Sequence, residues 1–317
     1  MFENSLTIFG FDKGIIAGII LFIAYIFIAT EKLPKVTVAM LGAAVTLILG
    51  IIPAKNAFIH VDFGVIVLLV SMMIIVHIAS RSGVFTWLAF ELLKFTKGKP
   101  MYVLIALAIF TAVFSAFLDN VTTVVLILPV TFVIARELNI DPIPLLITEI
   151  LASNIGGTAT LIGDPPNIII GSAAGLSFND FVVELTPVVV PIFIICMAVI
   201  AFMFRNDLKT TPELMEHVSN LDNSKTIKDK TLMKRSIIVL GLVVLGFILH
   251  DTLHLEAYMV ALLGASVLLI FEKPKHILVD VEWMTIFFFI GLFIIIGGLV
   301  ETGGITFLAN ELLNLTK

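Results

Sequence analysis

The sequence predicts an all-α integral membrane protein: an inverted-repeat fold with a re-entrant helical hairpin and a broken helix, its first repeat complete and its second incomplete. Three observations carry this. The 317 residues are 59% hydrophobic and only 14% charged, with a mean hydropathy of +1.14, whereas soluble domains carry about 25% charged residues. One stretch of the chain matches another more than two hundred residues later. Two apolar segments are interrupted by Gly, Pro, Asn and Asp at a depth where a membrane helix should run unbroken.

The spans follow from length, since a crossing helix needs roughly 17–25 apolar residues. Clear candidates are 14–30, 36–53, 63–80, 187–204, 235–250, 256–271 and 284–300. The stretch 205–235 is polar and reads as a solvated loop. A net charge of −5 leaves no basic surface for nucleic acid. The single cysteine, Cys196, lies in the apolar run VVVPIFIICMAVIAFMF and reads as a thiol facing lipid or core. The N-terminus MFENSLTIFGFDKG lacks the basic region and cleavage site of a removable signal.

Val61–Lys97 aligns without a gap to Val281–Lys317, with 13 of 37 positions identical, and GVFTWLAFELLKFTK faces GGITFLANELLNLTK. A two-residue gap extends the match to MLGAAVTLI and LLGASVLLI. Internal repeats of this kind are a hallmark of secondary transporter folds. With the N-terminus outside, 101–135 as a hairpin entering and leaving on the inner side, and 143–173 crossing once, 16 of the 19 Lys and Arg fall inside. That is the bias of the positive-inside rule. It places the loop 205–235 in the cytoplasm, in a plasma or inner membrane, and orients the two copies oppositely. Two full crossings at 101–135 give the same parity. The first copy continues for about a hundred residues after Lys97 and the second ends at Lys317, so we expect one complete repeat and the opening of another.

The interruptions carry the chemistry. In ASNIGGTATLIGDPPNIIIG, Gly156-Gly157 ends one helix, while Asp164 as N-cap and Pro165 at the first helical position start the next. Non-helical backbone at membrane depth survives only inside protein or beside a water-filled cavity. The first half-helix is expected to present free carbonyls to a cation, the second free N–H groups and a positive dipole end to an anion. In SAFLDNVTTVV, Asp119 can cap a second helix through the N–H of Val121 or Thr122. The candidate ion site comprises Asp119, Asn120, Thr122 and Thr123 from the hairpin tip. From the broken helix it takes Ser153, Asn154, Gly156, Gly157, Thr158, Thr160, Gly163, Asp164, Pro165 and Asn167. Hard oxygens suit Na⁺ or a hydrated oxyanion.

The alternative for Asp119 and Asp164 is capping alone. An ionised carboxylate at bilayer depth costs roughly 2.5–3.5 kcal/mol, and serine caps at less cost, which favours ion or proton handling. Glu149, mid-helix in LLITEILAS, is either a proton carrier, with Asp164, or an interhelical hydrogen-bonding partner. His77, whose repeat counterpart is Gly297, reads as structural or pore-adjacent, and His250 and Asp251 as interfacial. Val84–Phe95 reads as a helix lying in the membrane interface. There is no H-E-x-x-H and no P-loop, and Asp164 lacks the Gly-x-Gly context of an intramembrane aspartyl protease, so no enzyme is expected. No resident cofactor or metal is expected beyond a coupling ion.

At SNIGGTATLIGDPPNIII and LDNVTT the chain resembles the ion transporter superfamily, in its branch of arsenite-efflux permeases, the melanosomal P protein and citrate-transporter-like carriers. Asp164 in GDPPN looks like the arsenite-permease and P-protein branch. Asp119-Asn120-Val121-Thr122 departs from the Ser-Asn-Thr tip of sodium–dicarboxylate relatives. The resemblance implies an elevator-type secondary transporter of an inorganic anion or oxyanion, arsenite-like, or of Na⁺, coupled to H⁺ or Na⁺. It also implies a homodimer, with 1–100 (carrying interfacial helix 84–95) as scaffold and 101–175 as transport elements. Residues 176–204 then form a linker and sixth span, and 236–317 open repeat 2. A second hairpin and broken helix are implied after Lys317, or a second polypeptide supplying them. The alternatives are a passive channel on the same fold, a sodium-coupled di- or tricarboxylate symporter, and an inactive fragment.

Overall fold

A computed structural model of the chain describes residues 7–8, 11–219 and 226–307, without the side chains of His250 and Asp251. The ELLNLTK half of the repeat match and the interfacial placement of that His–Asp pair therefore lie outside the described residues. The fold is helical apart from a ribbon of two two-residue strands, β1 (Thr7–Ile8) and β2 (Phe11–Asp12). Among the described residues, six helices are long and apolar enough to cross a membrane. The all-α integral membrane class is as the sequence indicates.

In chain order, α1 is Lys13–Thr30, α2 Lys35–Ile48, α3 Ala54–Ala57, α4 Phe63–Arg81 and α5 Val84–Phe95. Next come α6 Pro100–Ser115, α7 Asn120–Glu137, α8 Ile143–Gly157, α9 Pro165–Ala174 and α10 Phe178–Met203. The remainder are α11 Pro212–Ser219, α12 Lys230–Leu253, α13 Ala257–Leu269, α14 Pro274–Leu278 and α15 Trp283–Glu301. The sequence repeat survives as structure. Both α4 and α15 have 19 residues, and their ends match under the pairing that sets Val61 against Val281. The start of α13 falls opposite that of α2 once the two-residue gap is added.

The chain forms two compact units, one of Met1–Ile66 with Glu282–Lys317, the other of Val67–Val281. In the first, α2 packs against α15 through small residues. A Cβ on Gly291 would lie 2.7 Å from the Ala39 carbonyl carbon, and one on Gly42 2.5 Å from Ile295 Cδ1. Close approach through small residues is how membrane helices gain contact where lipid offers no hydrophobic drive. Asn56 Nδ2 donates to Glu301 Oε1 at 2.9 Å, and His60 Nε2 lies 3.4 Å from the same oxygen.

In the second unit, the α13 glycine equivalent to Gly42 is Gly264, and a Cβ there would lie 3.3 Å from Ile75 Cδ1 of α4. Ile75 is the repeat partner of Ile295. Each copy's glycine helix therefore meets the other copy's long helix, so the units cut across the two repeats. The apolar core of this unit joins Leu93 of α5, Leu104 and Leu107 of α6, Ile134 of α7, and Leu145 and Ala152 of α8. The face Val84, Phe85, Ala89 and Leu93 of α5 is buried against protein.

Several boundaries differ from the sequence reading. The span expected at 36–53 ends as α2 at Ile48, and both α2 and α13, the latter expected as 256–271, are shorter than the helices long enough to cross. The span expected at 187–204 begins at Phe178, because Ser177 and Asp180 form a reciprocal capping box and the helix runs on through Pro187 and Pro191. Pro is tolerated in membrane helices where neighbours re-satisfy the freed groups. The span expected at 235–250 is α12, which already starts at Lys230. The stretch 205–235 is not simply solvated: Leu208 and Val218 are buried in the core cluster, Lys228 N donates to Ser82 O at 2.9 Å, and His217 lies 3.5 Å from Glu137. The i, i+4 pair Leu214 and Val218 in α11 was the available signal.

Candidate functional site

The hairpin is α6, a four-residue tip, and α7. At 16 residues α6 is about 24 Å long, short of the ~30 Å hydrocarbon layer. Asp119 is the N-cap of α7, its Oδ1 accepting from the Thr122 N–H at 2.9 Å. The broken helix is α8, an irregular segment 158–164, and α9.

The two meet at close quarters. Asn120 Nδ2 donates to Asn154 Oδ1 at 2.9 Å, and Ser115 Oγ donates to Ser153 O at 2.7 Å. Thr160 Oγ1 donates to Ala116 O at the tip and accepts from the N–H groups of Ile162 and Gly163. Glycines make this approach possible. A Cβ on Gly163 would lie 2.5 Å from both Ser115 O and Gly157 O, one on Gly157 2.6 Å from Gly163 O, and one on Gly156 would overlap the Ala112 backbone.

Of two expectations about free backbone groups, the one for α9 is overturned and the one for α8 only in part, since Ile155 O accepts from no donor among the described residues. At the end of α8, Ser153 O accepts from Ser115, Asn154 O from Thr158 N and Oγ1, Gly156 O from Ala159 N, and Gly157 O from Asn167 Nδ2. Buried carbonyls without water take whatever donor the fold supplies. At the start of α9, Pro165 and Pro166 have no N–H, and those of Asn167 and Ile168 both donate to Asp164 O. The first turn of α9 thus has no free amide for an anion. In α7 the amides of Val121, Thr122 and Thr123 are likewise taken, by Asn120 Oδ1, Asp119 Oδ1 and Asp119 O.

Asp164 stands at the N-cap, yet its side chain makes no capping bond: the N2 position is proline, and the N3 amide of Asn167 donates to the Asp164 carbonyl instead. Its carboxylate and that of Asp119 lie within electrostatic reach of each other. Buried Thr122 and Thr123 each have a hydroxyl without a hydrogen-bond partner among the described residues. Thr158, Thr160 and Asn167 spend their polar atoms holding the break: Asn167 Nδ2 donates to Thr160 O at 2.9 Å, and Thr158 Oγ1 to Asn154 O at 2.8 Å. The Ser153 hydroxyl donates to Ile150 O at 3.0 Å.

Glu149 is fully buried, and its Oε1 accepts from Thr131 Oγ1 of α7, while Oε2 has no partner among the described residues. Sequence reasoning read one residue of α4, His77, as structural or pore-adjacent, and did not place the rest of that helix at the site. Leu69, Met72, Met73 and Val76 of that helix wall a small cavity with Asp119, Ile162 and Ile168. On the same helix, His77 Nε2 is buried without a partner among the described residues, and the Asp119 and Asp280 carboxylates bear on its ring. A lone imidazole in an apolar span was the available signal.

An apolar multi-helix protein with a capped hairpin locked to a glycine-lined helix break fits a membrane transporter, and the family match and the relatives put the chain in that class. The family profile described as Citrate transporter matches residues 25–316, and the chain belongs to that family. It is 41% identical over 96% of its length to a 46 kDa membrane protein of Mycobacterium leprae, of which it covers 72%. It is 42% identical to the uncharacterized transporter Rv2684 of Mycobacterium tuberculosis, with the same coverage. The P protein of Homo sapiens is 29% identical over 99% of this chain and 46% of its own length. The branch expected from GDPPN and LDNVTT is the one these relatives occupy.

Proposed function

We propose that the chain is a secondary active transporter whose coupling ion, Na⁺ or H⁺, is held by Asp119 and Asp164. The observation that carries this is the imbalance between donors and acceptors. The first turn of α9 has no free amide N–H, whereas two carboxylates and the unpartnered hydroxyls of Thr122 and Thr123 remain. The carboxylates only accept, and a threonine hydroxyl accepts as well as donates, so this set can ligate a hard cation. An oxyanion at the same point would meet two negative charges. Of the substrates that the sequence suggests, this arrangement favours the cation as the directly bound species. An inorganic oxyanion would then enter with it.

A second reading comes from the family match. A citrate-like carboxylate would need co-bound cations to neutralise Asp119 and Asp164. Elevator-type movement of 101–175 against 1–100, a homodimer, and an external N-terminus with 205–235 cytoplasmic complete the proposal. The movement and the homodimer rest on the resemblance, and the orientation on the Lys and Arg bias that the expected topology gives. Uptake into proteoliposomes under separately imposed Na⁺ and H⁺ gradients tests it. Coupled uptake is expected in the wild type and absent in Asp119→Asn and Asp164→Asn. Flux that persists without any coupling ion would instead indicate a passive channel.

A further inference from the structure

The link between α5 and α6 borders a groove of about 440 Å³ that the transport reading leaves unused. Lys97 and Lys99 stand at its mouth, and no acidic residue lines it among the described residues. Neither lysine has an ion pair among the described residues, and Lys99 Nζ lies 5.5 Å from the centroid of the Tyr102 ring. The wall is one face of α6, with Tyr102, Ile105, Ala106 and Ile109 at positions i, i+3, i+4 and i+7. This stripe runs about 10 Å along the helix from the lysines. Tyr102 and Ile109 are exposed, and Phe95 at the rim is 84% exposed.

Two unpaired cations above an apolar furrow match a molecule with an anionic head and a long apolar tail. The bilayer supplies one. We propose that the α5–α6 groove binds an anionic glycerophospholipid. Its phosphate sits between Lys97 and Lys99, and one acyl chain lies along Ile105, Ala106 and Ile109. Basic pockets at the ends of membrane helices recognise such headgroups, and apolar packing distinguishes a lipid from a free phosphate.

Native mass spectrometry of the full chain, offered phosphatidylglycerol and phosphatidylcholine of identical acyl chains, tests this. The wild type is expected to retain phosphatidylglycerol preferentially. The double variant Lys97→Gln, Lys99→Gln should lower that preference roughly ten- to thirtyfold. Lys273→Gln with Lys275→Gln, an exposed basic pair at the N-cap and in the first turn of α14, should leave it unchanged. Ala106→Trp fills the furrow but keeps both lysines, so it should reduce phosphatidylglycerol retention without altering binding of glycerol 3-phosphate.

Equal loss from the α14 pair would make the effect general surface charge and overturn the site. Unchanged lipid retention in Ala106→Trp, or glycerol 3-phosphate binding as tight as the lipid, would reduce it to a phosphate site and overturn it too. Loss of dimer with lipid retention intact in the Lys97, Lys99 variant would assign the groove to a second copy of the chain.

Discussion

Replacing Gly163 by alanine tests whether the helix break is packed against the hairpin backbone. The new Cβ would lie 2.5 Å from Ser115 O and Gly157 O and 2.7 Å from Gly157 Cα. All three atoms are main chain, on two different segments, so no side chain can swing aside. Overpacking of this kind costs about 1–3 kcal/mol, and rigid neighbours place Gly163→Ala toward the upper end. Gly241 in α12 is the control: nothing lies within 4 Å of its added Cβ, and Gly to Ala inside a helix stabilises by roughly 0.5–1 kcal/mol. At about 2 °C per kcal/mol for a chain of this size, thermal unfolding of the purified protein should show Gly163→Ala lowered by roughly 4–6 °C. Gly241→Ala should rise by about 1–2 °C. A Gly163→Ala protein as stable as the wild type would refute the close backbone contact, and with it the geometry assigned to the site.

Three further outcomes follow from named contacts. Asn120→Ala and Asn154→Ala should be coupled by about 0.6 kcal/mol in a double-mutant cycle of unfolding, the mean for hydrogen bonds between membrane helices; strict additivity would mean the tip and the break do not touch. Thr131→Val removes the donor to Glu149 and should destabilise by roughly 1–3 kcal/mol, whereas Glu149→Gln should keep coupled uptake if Glu149 is an interhelical partner rather than a proton carrier; loss of coupling in Glu149→Gln would reassign it. Val218→Asp puts a charge into a fully buried site and should release α11, seen as faster trypsin cleavage between Arg205 and Lys228; unchanged cleavage would mean the segment is not held there.

The parts of the fold legible in the sequence are those set by local chemistry. The Asp119 cap, the ends of α4 and α15, and the break between Gly157 and Asp164 each depend on residues within a few positions. What α8 and α9 do with their free ends depended on partners far along the chain. Ser115 is supplied by another helix, and Asn167 lies across the break, so most of the carbonyls expected to be bare are taken. Pro165-Pro166 was legible as a helix start, but its corollary, a first turn without N–H groups, went undrawn. Pro187 read as a boundary although Ser177 and Asp180, three positions apart, form a capping box that marks the earlier start locally. The α4 wall of the cavity by Asp119 was hidden because Met72 and Met73 look like any membrane-core residues.

The central claim is that Asp119 and Asp164 hold a cation rather than helix ends holding an anion. A pH-stat titration of the purified chain with radiolabelled Na⁺ counts bound Na⁺ and displaced H⁺ in one vessel. The account predicts saturable cation binding in which Na⁺ and H⁺ compete, weakened roughly ten- to a hundredfold in Asp119→Asn or Asp164→Asn, the scale of losing a charged ligand. Cation binding identical in the wild type and both variants, alongside an oxyanion that binds saturably in the absence of Na⁺, would contradict it.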